Sequence, residues 1–231
     1  MNLDAPQSST PDETLEALLA LRHSCRGFKS EPVANATIWR ILKLAQLTAS
    51  WCNTQPWNVT VISGQAMRTL RADLVDHVRN SEPSPDIAFP EKYTGIYAER
   101  RKDCGLRLYG TVGISREDRA GADRQRLENY RMFGAPHVAL ITTDRQLGTY
   151  GVMDCGAYVA NFILAAQSLG VASVPQASLA TAAEFFRSRF AWPDDRAFVC
   201  GVSFGYEEEA HIANQFRVPR AALEDSASIV E

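Results

Sequence analysis

Apolar positions recur along this chain at helical spacing in some stretches and in short strand-like runs in others, and their order predicts its layout. Thr10-Pro11-Asp12-Glu13 has the makeup of a helix start: a capping threonine, proline in the first turn and glutamate three residues after the cap. Leu15, Leu18, Leu19 and Leu21 follow at helical intervals. A second helix is predicted from about Asn35 to Thr48, with Ile38, Ile41, Leu42 and Ala45 on one face. A polar loop over 50–56 then feeds a strand over 57–63, and residues 64–78 read as a third helix. Residues 81–95 carry three prolines and no period, which predicts a loop. Residues 96–133 are helical in character but heavily charged, as in Glu99-Arg100-Arg101-Lys102-Asp103, and with the loop before them the span 81–133 reads as a helical excursion or lid.

The second half repeats the alternation. A strand is predicted over 136–143, the most apolar helix over 153–169 with Gly170 closing it, and a short strand over 171–175. Thr181-Ala182-Ala183-Glu184 has the form of another capping box and predicts a helix to about Phe190. Residues 198–204 are a strand, and 206–231 form a weakly periodic tail. Strands alternating with helices imply a sheet core under helical cover, of α/β or α+β class. No internal repeat is visible. The whole span 1–231 reads as one domain, with a polar segment at 1–9 expected to be disordered.

Composition narrows the function classes. The chain has 231 residues, 45% of them hydrophobic, which is ample for one core. The net charge is −3, so no basic excess points to nucleic acid or to an anionic membrane surface. No apolar run reaches the roughly 18 residues needed to span a bilayer. The five cysteines include no C-x-x-C pair and read as reduced thiols in a cytoplasmic protein. The first ten residues are polar, without the apolar core of a signal peptide. The four histidines are far apart and show no metal-ligand spacing, so no metal site is expected.

The candidate chemistry sits in a few short stretches. Arg22, Ser24 and Arg26 place a hydroxyl between two guanidiniums, a good phosphate grip because guanidinium offers paired donors. A basic helix end is also what the helix dipole favours in any fold. Arg217 and Arg220 repeat the opportunity at the far end of the chain, and the two clusters can meet only in the folded state. Asn53 and Gln55 carry amides that both donate and accept, which suits the edge of a planar ring with carbonyl and N–H groups, with Ser50 and Trp51 available to line its face. A plain turn before a strand is the competing reading. Pro175-Gln176-Ala177-Ser178 offers small residues beside which backbone N–H groups can approach a ligand. Gly201-Val202-Ser203-Phe204-Gly205 matches the nucleophile-elbow pattern by letter, but no helix follows it and no acid-then-histidine order supports a hydrolase. No dinucleotide-binding glycine fingerprint or Walker A loop is present.

Taken in order, these stretches resemble the FMN-dependent nitroreductase family. The residues that carry the resemblance are Arg22-His23-Ser24-Cys25-Arg26, the stretch Ser50-Trp51-Cys52-Asn53-Thr54-Gln55-Pro56-Trp57, Leu169-Gly170-Val171 before Pro175, the strand ending at Gly205, and Asn214-Gln215-Phe216-Arg217-Val218-Pro219-Arg220. Trp51-Cys52, the Glu99–Lys102 run and Phe133-Gly134-Ala135-Pro136-His137 are similar to the nitrobenzoate-reductase branch. The resemblance implies an α+β fold with a central, mostly antiparallel sheet flanked by helices. It implies an intertwined homodimer with two FMN molecules at the interface, around which the 206–231 tail wraps. The implied activity is hydride transfer from NADH or NADPH through FMN to an electron-poor acceptor, a nitroaromatic first, in a ping-pong cycle. Other chemistry on the same fold, or plain flavin binding, stays open.

Carried over by residue, the resemblance places Arg22, Ser24 and Arg220, with Arg217, on the FMN phosphate. It places Arg26 near flavin N1 and the C2 carbonyl, and His23 on the ribityl chain or ring. Ser50, Asn53 and Gln55 would come from the partner chain, and Pro175, Gln176, Ala177 and Ser178 would offer backbone groups at the N5 edge. Arg101 is a further candidate for a ring-edge contact. No residue is assigned as acid, base or nucleophile, because the flavin carries the chemistry.

Overall fold

A computed structural model describes residues 10–231, so the expectation of disorder at 1–9 lies outside the described residues. The first helix, α1 (Pro11–Leu21), opens on the capping box expected of it. Thr10 Oγ1 accepts the Glu13 amide at 3.4 Å, and Glu13 Oε2 accepts the Thr10 amide at 2.8 Å. Next come α2 (Asn35–Ala45), β1 (Asn58–Ser63) and α3 (Gly64–Asn80). The charged middle block folds as two helices, α4 (Gly95–Thr111) and α5 (Arg119–Glu128). Then follow β2 (His137–Asp144), α6 (Gly148–Ser168), β3 (Ala172–Gln176), α7 (Ala183–Phe190) and β4 (Arg196–Gly205).

The four strands form one sheet in the order β1-β2-β4-β3, with every neighbouring pair antiparallel. The sheet is covered on both sides, and strand alternation decides which side chain goes where. In β2, Val138 and Leu140 join Leu70 and Leu74 of α3, Phe186 of α7, and Phe198 in one core layer. Their neighbours Ala139 and Ile141 join Ile41 of α2, Tyr158 and Phe162 of α6, and Phe204 in the other. Trp57, just before β1, closes this second layer by stacking on Tyr158 at 5.0 Å between ring centroids. The middle block is not all excursion: Leu127, Tyr130 and Met132 are buried in the first layer, whereas α4 buries no residue.

Two expectations change in the structure. The apolar helix α6 begins at Gly148, five residues before the expected 153. Its first turn, Gly148-Thr149-Tyr150-Gly151, looks turn-like in sequence. It is helical because Asp144 accepts the Gln146 amide at 2.9 Å and turns the chain into a 3₁₀ turn at Arg145–Leu147 just ahead of it. The second capping box does not form. Thr181 lies in a 3₁₀ turn (Ala177–Ala182), its hydroxyl donates to the Ser178 carbonyl at 2.7 Å and meets Tyr130 Oη at 3.0 Å, and α7 starts without a side-chain cap.

The single chain also leaves apolar surface open. No residue of α1 is buried, and Leu15, Leu19 and Leu21 are exposed, as are Trp39 on α2 and Leu47 just after it. No helix among the described residues is long and apolar enough to cross a membrane.

Candidate functional site

The site is built where the two ends of the chain meet at the edge of β3. Beyond α1 the backbone turns extended at Arg22 and runs beside β3, with the Cys25 amide donating to the Ser173 carbonyl at 3.1 Å and Ser24 bridging Ser173 in parallel. Beyond β4 the chain folds back over this segment. The Lys29 amide donates to Tyr206 at 2.9 Å, the Glu208 amide donates to Gly27 at 3.0 Å, and Phe28 pairs with Glu207. Residues 206–208 therefore act as a short extra ladder on residues 27–29 of their own chain, and the arginines that follow are carried back toward α1.

Between them opens a cavity of about 350 Å³, lined by Arg22, His23, Ser24, Arg26, Arg217 and Arg220 together with Cys104 of α4 and Phe216. None of its described lining residues is acidic. Four guanidiniums thus share one small volume with no carboxylate among the described lining residues. Burial, and then the charge of Arg220, lower the pKa of Arg22. Burial lowers that of Arg26. Mutual repulsion and desolvation of like charges are what an incoming anion relieves.

The individual side chains are held in definite ways. The Arg26 guanidinium donates to the Ser24 carbonyl at 3.2 Å and lies over the rings of Phe216 and Phe133, 5.3 and 5.9 Å from their centroids. Arg217 donates to the carbonyls of Asn214 and Phe216 at 2.5 and 3.0 Å, and Arg220 to that of Val218 at 3.1 Å. His23 lines the cavity with both ring nitrogens engaged, Nε2 on Glu207 at 3.0 Å and Nδ1 on the Leu21 carbonyl at 3.3 Å.

The other candidates do not line this cavity in the single chain. Ser50, Asn53 and Gln55 form a separate exposed loop in which Cys52, Asn53 and Gln55 all have φ between 47° and 57°. Left-handed conformations at non-glycine residues cost energy and persist only when the surroundings impose them. Here the surroundings are explicit. The Trp51 amide donates to buried Asp154 at 3.0 Å, the Gln55 amide donates to Ser50 Oγ at 2.9 Å, and Gln46 bridges the Gln55 side chain and Trp57 Nε1. Trp51 itself is exposed beside Tyr150, 6.0 Å away ring to ring.

The 175–178 segment is at the end of β3. Gln176 has its side chain committed elsewhere: Nε2 donates to the Asn129 carbonyl at 2.7 Å, and Oε1 accepts from Ser203 at 2.5 Å. Ser178 donates to Asn129 Oδ1 at 3.2 Å. These bonds tie the end of β3 to Asn129 just after α5, three residues before the turn at Met132–Gly134, where Met132 and Phe133 also take positive φ and Phe133 is set against Arg26. Arg101 stacks over Tyr93 at 5.2 Å and does not line the cavity.

Sequence reasoning did not single out Cys104, Asn129 or Asp154, and it used Phe133 only as part of the 133–137 stretch, not as a support for Arg26. Their only signal is tertiary, since each acts on a residue far away in sequence. The elbow-like G-x-S-x-G also resolves. Ser203 is fully buried on β4 and bonded to Gln176, and a Cβ added at Gly205 would stand 2.6 Å from Pro136 Cδ. The glycines serve packing. Among the described residues no group of three or more histidine, cysteine or acidic side chains could hold a metal ion.

A helix-covered antiparallel sheet with an acid-free arginine cavity at one edge defines a protein built to hold a small anionic ligand at its surface. Comparison with known proteins makes this specific. The nitroreductase family model matches residues 7–206, and the chain belongs to that family. It is 33% identical to nitroreductase NfnB of Mycolicibacterium smegmatis over 96% of this chain and 95% of that protein. It is 32% identical to a 4-nitrobenzoate reductase of Pseudomonas putida over 90% of this chain and 92% of that protein. Among solved structures, the FMN-dependent nitroreductase NfnB from Mycobacterium smegmatis in complex with NADPH superposes with a TM-score of 0.92 at 32% identity, covering 96% of this chain and all of that one.

Proposed function

We propose that this chain is an FMN-dependent oxidoreductase that accepts hydride from NADH or NADPH and delivers it to an electron-poor acceptor, with nitroaromatics the leading class. The observation that carries this reading is the acid-free cavity with its four arginines, in a member of the nitroreductase family. The absence of a dinucleotide-binding glycine fingerprint favours a monophosphate over FAD. When bound, FMN supplies the ring that takes up and gives back the hydride. The chain binds, orients and tunes it. Arg22, Ser24, Arg217 and Arg220 would hold the phosphate through charge-assisted hydrogen bonds. Arg26, aligned by Phe133 and Phe216, would present positive charge to the N1–C2 edge and stabilise negative charge there. His23 would pack on the ribityl side, and the backbone at 175–178 would face the N5 edge. Because the Gln176 amide is already spent on Asn129 and Ser203, its side chain has a positioning role. The nicotinamide and the acceptor would use the same face in turn.

The working unit in this reading is a homodimer. The exposed leucine face of α1 and the exposed Trp39 and Leu47 would be covered by a second copy. Ser50, Asn53 and Gln55 would then reach the cofactor from that copy, which explains why a strained loop is held so firmly away from its own chain's cavity. The one-domain reading of 1–231, with 81–133 as a helical excursion or lid and the 206–231 tail wrapping the partner, belongs to the same proposal. Five free cysteines suit a cytoplasmic location.

The test is direct. Purified protein should be yellow, release FMN on denaturation and sediment as a dimer. Anaerobic NADH or NADPH should bleach the flavin bands, and 4-nitrobenzoate should restore them. Release of FAD, or no flavin after reconstitution, would overturn the cofactor assignment. Bleaching without reoxidation by any nitroaromatic would overturn the acceptor class.

A further inference from the structure

Arg26 has an unusual means of support. Its guanidinium has lost part of its hydration, yet it is held by a carbonyl and two aromatic rings and by no carboxylate among the described residues. Such a cation keeps its place only if the backbone beneath it is fixed. At Arg26 itself that backbone is held by a side chain from the other end of the chain, Asn214, which is 3% exposed. Asn214 Oδ1 accepts the Arg26 amide at 2.6 Å, while its Nδ2 donates to the Gly27 carbonyl at 2.8 Å and to the Glu208 carbonyl at 2.9 Å. The Asn214 carbonyl in turn accepts from Arg217 at 2.5 Å. Phe216, two residues on, is one of the two rings over Arg26.

The chemistry of this junction is exacting. It needs one acceptor facing an N–H and two donor hydrogens facing two carbonyls, and a primary amide is the side chain that offers both. A carboxylate of the same shape would face two carbonyl oxygens. An apolar group would take this partner from the part-buried Arg26 amide and Glu208 carbonyl, each at a cost, and leave the Gly27 carbonyl only the Glu208 amide and the Cys25 thiol.

We propose that Asn214 is the positioning residue of the anion cavity: it sets Arg26 and binds the two arginine-bearing ends of the chain into one site, so that filling the cavity and docking residues 208–217 are thermodynamically linked. The inference rests on the proposed function for the identity of the anion, FMN, but not for the existence of the clamp. Linkage is reciprocal: whatever factor FMN adds to docking of this segment, docking adds to FMN affinity.

The experiment is a double-mutant cycle on the FMN-reconstituted protein with Asn214→Asp and Arg26→Ala. Asn214→Asp should weaken FMN binding about tenfold or more, equivalent to about 1.4 kcal/mol. It should also lower the flavin reduction potential and speed amide hydrogen exchange over 208–217. In the Arg26→Ala background the same substitution should change the potential no further, while the affinity loss that runs through docking of Arg217 and Arg220 remains. Full additivity in the potential, or faster exchange with affinity and potential unchanged, would make Asn214 a structural residue only and overturn the proposal. If Asn214→Asp does not fold, Asn214→Ser takes its place in the same cycle. Should the wild type bind no flavin at all, the functional reading fails alone. The clamp is then decided by whether inorganic phosphate slows exchange over 208–217 in the wild type and not in the variant, and equal behaviour of the two rejects it.

Discussion

His137 accepts the amide N–H of Val33 on its Nε2 at 2.8 Å, joining residues 104 apart in sequence. That bond sets the tautomer: Nδ1 carries the proton and donates to Ser63 Oγ at 2.6 Å. The ring is 2% exposed and stacks on Phe204. Burial lowers its pKa from the ordinary histidine value of 6.5. The unfolded chain therefore binds this proton at a higher pH than the folded one. The stabilisation is complete above about pH 6.5 and declines as pH falls from there through the folded value. Thermal melts near neutral pH and near pH 5 should show this decline, and His137→Gln should be less stable throughout but flatter with pH. Equal pH slopes in the two proteins would remove His137 from the account.

Asp86 is the anchor of the loop between α3 and α4. It accepts from Arg187 at 2.8 Å, from the Phe198 amide at 2.8 Å, and from Arg145. Removing one partner of a mostly buried ion pair strands the others, so Asp86→Ala should cost about 3 kcal/mol in urea unfolding. A loss under about 1 kcal/mol would mean that the arginines find water instead.

Gly205→Ala should destabilise more than Gly201→Ala. At Gly205 the new methyl would meet the rigid ring of Pro136 at 2.6 and 2.8 Å, whereas at Gly201 it would meet the end of the Leu179 side chain at 2.5 Å, which can rotate away. Overpacking costs about 1–3 kcal/mol, with the upper part of that range expected at Gly205. Denaturant midpoints of the two variants decide the order.

The thiols should separate by reactivity. Burial pushes Cys25 and Cys200 up to about 12 and Cys155 up to about 11. Cys52 is exposed. Alkylation near pH 8 followed by peptide mapping should label Cys52 in the native protein and leave Cys25, Cys155 and Cys200 for the denatured one. Early labelling of Cys155 would show that its site opens far more readily than the structure implies.

Arg22→Ala should weaken FMN binding by roughly ten- to a hundredfold, since a hydrogen bond to a charged group is worth about 1.5–3 kcal/mol. Excess FMN should restore most turnover. Arg26→Ala should instead lower the flavin potential and slow reduction by the nicotinamide. Anaerobic redox titration separates the two, and an unchanged potential in Arg26→Ala would place its charge away from the flavin ring.

What the amino-acid sequence by itself determined was local. The Thr10–Glu13 box, the period of Ile38, Ile41 and Ala45, and the short apolar run read as a strand over 136–143 depend on neighbours close in sequence, so they are legible from residue order alone. The same logic failed at Thr181-Ala182-Ala183-Glu184, where the hydroxyl of Tyr130, 51 residues away, draws Thr181 into a 3₁₀ turn. It also missed the first turn of α6, whose glycines mask a helix started by Asp144. At the candidate site, the residues that offer charge were visible as arginines near both ends. Their meeting around one acid-free cavity, and the withdrawal of Gln176 and Arg101 from it, were decided only by the tertiary structure. The reason is that burial, desolvation and a hydrogen bond such as that from the Arg26 amide to Asn214, spanning 188 residues, are properties of who lies next to whom in space, which no window of sequence contains.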